Sequence, residues 1–141
     1  MLERNTDDLK QELMSAPDLT QFIKENEKYF IEKDMACYLQ EIFQQKNISK
    51  SSLAKRANIS EVYLHQVFAG QRNLSRNKLL CVCLGLSATL DETQNLLQKS
   101  GHAQLYAKSK RDAAVMFGLL HEMDLDTIND ELLDMGEEPL C

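Results

Sequence analysis

Apolar residues recur along this chain at helical spacing from its first turns to its last. Leu9 and Leu13 stand four apart in a first predicted helix. Pro17-Asp18 marks a break and a restart, and Leu19, Phe22, Ile23 and Phe30 stripe a second. A third helix, about 34–46, carries Met35, Leu39, Ile42 and Phe43 on one face. Residues 50–70 read as two short helices and a tight turn. Leu53, Ala54 and Ala57 line the inside of the first, Ile59 plugs the corner, and Leu64, Val67 and Phe68 anchor the second. Ser75 is the expected cap of a strongly apolar helix running to about Leu86. Thr89 and Glu92 carry a capping-box signature for the next, with Leu90, Leu96 and Leu97 inward and Gly101 at its end. Ser109 and Asp112 repeat the signature before a helix with Ala113, Ala114, Phe117, Leu120 and Met123 inward. Leu125, Ile128, Leu132 and Met135 mark a last helix, closed by Gly136. Strand-like alternation is missing, so the pattern predicts an all-α chain, with Gly101-His102 as its one hinge signal.

The 50–70 segment has three further marks. Ala54 falls where the two short helices cross. Asn58 falls at the turn, where a positive backbone angle is needed and Asn is tolerated. Ser60 can cap the second helix and Gly70 can stop it. On these residues, and on the run ISKSSLAKRANISEVYLHQVFAGQRNLSRNKLL at 48–80, the chain resembles the lambda-repressor-like XRE class of bacterial and phage regulators. Many members place Gly where this chain has Asn58. The resemblance implies a lambda-repressor-like helix-turn-helix bundle over 34–101. It leaves an N-terminal helical extension at 1–33 and a C-terminal one at 102–141, packed on the domain.

Net charge is −6, which is unusual for a DNA binder until it is mapped. Between Lys46 and Leu80 there are seven Lys and Arg against one acid, Glu61; the rest of the chain holds nine basic and 21 acidic side chains. Phosphate attraction acts over roughly 8 Å at physiological salt, so a basic head on an acidic body can still engage a duplex. No stretch approaches the ~18 apolar residues of a membrane span, and the charged N-terminus lacks a signal-peptide core, so a cytoplasmic location is expected. Cys37, Cys81, Cys83 and Cys141 form no zinc-type spacing and read as reduced thiols. His65, His102 and His121 are scattered, and no phosphate-cradling glycine loop occurs. No catalytic residue, metal site or cofactor is expected.

The resemblance implies that the second short helix, about 61–69, presents Glu61, Val62, Tyr63, His65 and Gln66 to base edges in the major groove. Gln66 can pair with adenine, Val62 can touch a thymine methyl and Glu61 can accept from cytosine. Phosphate contacts are expected from Lys50 and from Arg72, Asn73, Arg76 and Asn77. The expected partner is double-stranded DNA, bound as a homodimer on twofold-related half-sites. The competing expectation is an adaptor that keeps the fold without DNA contact. It would bind a protein through its acidic terminal helices.

Overall fold

The computed structural model describes residues 5–27 and 31–141, and no side chain at 31–33. Among the described residues the chain is all-α: nine helices and no strand. They are α1 (Thr6–Ser15), α2 (Leu19–Glu25), α3 (Ile31–Lys46), α4 (Lys50–Ala57), α5 (Glu61–Phe68), α6 (Arg76–Leu86), α7 (Leu90–Lys99), α8 (Lys110–Leu120) and α9 (Leu125–Asp134). α3 begins about one turn earlier than its apolar spacing predicts.

The helix boundaries follow local chemistry. Ser49, Ser60, Ser75 and Asp124 each accept a backbone N–H from the residue three positions on. Thr89 and Glu92 close a reciprocal capping box at 3.1 and 2.9 Å. Asn58 adopts the left-handed conformation at φ 56°, and its N–H bonds back into the last turn of α4. Gly70 does the same work after α5 at φ 73°. Ser87 and Glu122 take this conformation too, without the tolerance that the Asn side chain brings.

α6 is the centre. Every residue from Leu79 to Leu86 is buried, so both Cys81 and Cys83 are inside although they leave the helix in different directions. Burial pushes both thiols up to about 12, and all four cysteines are free. α4 crosses α6 closely at Gly85, where a Cβ would stand 3.2 Å from the Ala57 nitrogen and 3.3 Å from the Arg56 carbonyl carbon. The small residue that permits this approach is Gly85 of α6. α8 runs beside α6 in the same direction: Asp112 meets Arg76 at the start and Gly118 meets Leu84 further on. α9 returns against α8, with Ile128 seated in the space that Gly118 leaves. One core cluster therefore runs from Met35 of α3 to Leu140, the terminal helices' Val115, Leu119, Leu125, Ile128 and Leu132 included.

Several predicted inward positions lie outward. Phe117 is 52% and Leu120 63% exposed, and Met135 is exposed as well. The buried side of α8 is instead Asp112, Val115, Gly118 and Leu119. α1 buries nothing, Leu13 is exposed, and α2 buries only Phe22 while Leu19 and Ile23 face water. Phe30 lies outside the described residues. Asn26 binds these two helices together through the Glu12 carboxylate at 2.8 Å.

Gly118→Ala puts a methyl group into the Ile128 side chain. Its better helix propensity offsets only about 1 kcal/mol, so a net loss of about 1–2 kcal/mol is expected. Urea denaturation followed by circular dichroism checks this.

Candidate nucleic-acid interface

α5 buries Leu64, Val67 and Phe68 and turns its other side to water. Glu61, Val62 and His65 are exposed, Val62 to 69%, while Tyr63 and Gln66 are half-buried. The outer face is therefore open over the first two turns, where the sequence placed its base-contacting residues. Glu61 and His65 face each other across one turn at 3.7 Å.

The cations around this face are of two kinds. Arg72 and Lys78 stay outside and converge on one aromatic ring: the Arg72 guanidinium lies 5.1 Å and the Lys78 ammonium 4.6 Å from the Tyr63 centroid. Arg72 also donates through Nε to the Gln66 side-chain carbonyl. Gln66, Arg72, Tyr63 and Lys78 thus form one connected cationic ledge. Lys50 sits over the Phe68 ring at 5.2 Å, and Asn73 is exposed. Lys78 escapes a sequence reading of the site, because its place inside a strongly apolar helix reads as structure. The signal that could have found it is its membership of the basic run that ends at Leu80.

Arg76 and Asn77, both expected on phosphate, belong to the second kind and are engaged within the fold. Arg76 donates to both Asp112 carboxylate oxygens at 3.1 and 2.9 Å, and to the carbonyls of Ala103 and Gln104. These partners take up most of its donors within the fold. The Asn77 side-chain oxygen accepts from Arg111 at 3.1 Å, and that guanidinium also holds the carbonyls of Glu138 and Pro139. Lys46 likewise pairs with Glu92 at 3.0 Å. The cationic run is real in sequence, but part of it is spent on joints.

Those joints fix the connection that the sequence marked as a hinge. His102 bonds the Leu74 carbonyl at 2.7 Å. Gln94 holds Leu105 from both sides, at 3.0 and 2.7 Å. Asp112, expected to close a capping box with Ser109, receives the Ser109 cap only through its own N–H; its carboxylate goes to Arg76 and the Tyr106 amide. Burial pushes the Asp112 carboxyl up, but the hydrogen bonds from Arg76 and Tyr106 and the charges of Arg76 and Arg111 outweigh it. The carboxyl is held below its ordinary range. Residues 138–141 return to α8 and α9. Leu140 is buried, its N–H bonds Asn129 at 2.8 Å, and the Cys141 thiol accepts from the side-chain amides of Asn129 and Asn58.

A cleft of about 520 Å³ runs past Lys55, Arg56 and Asn58 of the α4 end to Glu122, Asp124 and Asp126. Among the described residues no group of three His, Cys, Asp or Glu side chains could hold a metal ion, and no helix is long and apolar enough to cross a membrane.

Asp112→Asn leaves the Arg76 charge without its partner, and a loss of about 2–4 kcal/mol is expected on denaturation. Because the folded carboxyl titrates below the unfolded one, this contribution is complete above the unfolded value of about 4. It disappears as pH falls through the folded value. The wild type should therefore lose stability towards acid more steeply than Asp112→Asn, which parallel melts from neutral to acid pH would reveal. No protein-family model, no curated protein and no solved structure matches this chain.

Proposed function

We propose that the chain is a cytoplasmic DNA-binding transcriptional regulator of lambda-repressor-like helix-turn-helix type, similar to the XRE class, with α5 as the helix that reads the major groove. The observation that carries this reading is the open outer face of α5, Val62 at its head, bordered by the solvent-exposed cations Arg72 and Lys78. The left-handed Asn58 and the Ser60 cap support it, since they set α4 and α5 at a fixed angle. A rigid polar wedge of that kind suits a groove about 12 Å wide. In this reading Glu61, Val62 and Gln66 meet base edges, with Tyr63 and His65 beside them. Lys50, Arg72, Asn73 and Lys78 meet phosphates, and two copies bind twofold-related half-sites.

A second reading, an adaptor without DNA contact, draws support from the apolar residues left exposed on the terminal helices: Leu13, Met14, Leu19 and Ile23 at one end, Phe117 and Leu120 at the other. Titration of the full chain into labelled random duplex, at low and moderate salt, separates the two. Salt-sensitive binding is expected; no binding at low salt overturns the regulator reading.

Arg72→Ala with Lys78→Ala should weaken every duplex and lower the salt slope by about one for each phosphate that is no longer neutralised. Gln66→Ala should cost about 1–3 kcal/mol on a selected site and relax preference at one base pair. Arg76→Ala should leave the salt slope unchanged and lower the melting temperature instead. Fluorescence anisotropy over a salt series, with a thermal melt of each variant, checks all three.

A further inference from the structure

Asn77, Cys81 and Gly85 stand four apart on α6 and share one side of that helix. Neighbours fix both ends of this stripe. Asn77 meets Arg111, whose guanidinium holds the carbonyls of Glu138 and Pro139. Gly85 lies against Arg56 and Ala57 at the close of α4. Residues 138–141 span the interval: they start beside Arg111, and the Cys141 sulfur reaches Asn58, the residue after α4. Cys81 lies between these two ends.

Asn129 of α9 holds the same segment. Its side-chain oxygen accepts the Leu140 N–H at 2.8 Å, and its amide donates to the Cys141 sulfur at 3.3 Å. The Asn58 amide donates to that sulfur at 3.5 Å. The remaining neighbour is Cys81, whose thiol hydrogen-bonds the Cys141 sulfur. Two free thiols from distant parts of the sequence therefore face each other, one buried and one exposed. Burial, and then the Cys141 sulfur beside it, holds the proton on Cys81. Cys83 leaves α6 on another side and hydrogen-bonds Thr93. Cys37 stands exposed on α3.

We propose that Cys81 and Cys141 are a thiol pair that a peroxide converts reversibly to a disulfide. Cys141 reacts first, because of the two sulfurs only this one meets an oxidant in water. Its thiolate attacks one peroxide oxygen and the O–O bond breaks. The other oxygen leaves as hydroxide and takes up a proton to become water, and Cys141 is left as the sulfenic acid. The Cys81 sulfur then attacks the Cys141 sulfur, and the S–O bond breaks. The Cys81 proton departs with the hydroxide as a second water. The two sulfurs have lost two electrons, and the peroxide has gained them. Closure to an S–S length of about 2.05 Å draws the Cys141 sulfur away from the Asn58 amide. Oxidation is thus read at the residue between α4 and α5. The exposed sulfur leaves the bond open to a reducing thiol, as a reversible disulfide requires. Nothing in the pair depends on DNA binding.

Treatment of the reduced full chain with near-equimolar hydrogen peroxide, an alkylating quench and tandem mass spectrometry of the digest test the pair. A Cys81–Cys141 crosslink within one chain is expected, with the mass lowered by two hydrogens, and dithiothreitol should remove it. Cys141→Ser and Cys81→Ser should each abolish it, whereas Cys37→Ser and Cys83→Ala should retain it. Prior unfolding in urea should spread the crosslinks to Cys83 and Cys37, since the fold no longer selects Cys81. The proposal is overturned if Cys141 stops at the sulfenic or sulfinic acid, or if it pairs chiefly with Cys83 or with a second copy. Pairing no more selective in the folded chain than in urea overturns it as well. In the oxidised sample the Asn58 side-chain amide resonances should shift, and in Cys141→Ser they should ignore peroxide. A crosslinked chain in which they stay in place overturns the coupling to the turn after α4.

Discussion

Helix α6 has no polar side between Leu79 and Leu86, so it is stable only if it is enclosed. Most of the architecture follows from that need. α4 covers one side at the close approach permitted by Gly85; α8 and α9 cover another through Gly118 and Ile128. The C-terminal helices are thus structural walls of the core, with Leu119, Leu125 and Leu132 supplying buried surface that α6 would otherwise expose. At about 25 cal/mol per Å² of apolar surface, side chains of that size supply most of the docking free energy. The polar contacts around them set the register.

The register is set by two arginines. Arg76 leaves the first turn of α6 and closes on Asp112 of α8; Arg111 leaves α8 and closes on Asn77 of α6. Each helix sends its cation to the other, so α6 and α8 are pinned start to start. This exchange draws charge away from the surface beside α5. What is left there, Arg72 and Lys78 on the Tyr63 ring, is a smaller and better-defined cationic ledge than the basic run of the sequence suggests.

Local rules made much of the fold legible. The caps at Ser60, Ser75 and Thr89, the left-handed turn at Asn58 and the burial of α6 all depend on residues within a few positions of one another. What stayed hidden is long-range. Nothing near Asp112 in sequence announces that its carboxylate will meet a guanidinium 36 residues back, so it reads as a capping-box partner. Arg76 reads as a phosphate ligand for the same reason. Phe117 and Leu120 read as core because periodicity finds an apolar stripe but does not say which side of the helix is covered. The exposure of Glu61, Val62 and His65 follows from the spacing of the buried Leu64, Val67 and Phe68, whereas the sorting of cations into joints and surface rests on distant contacts.

The chain end carries a practical lesson of its own. Arg111 grips two of its carbonyls, Leu140 is sunk in the core, and the Cys141 sulfur touches the side chain of the left-handed residue between α4 and α5. A change in this segment is therefore felt at the bend between α4 and α5, 83 residues back in sequence.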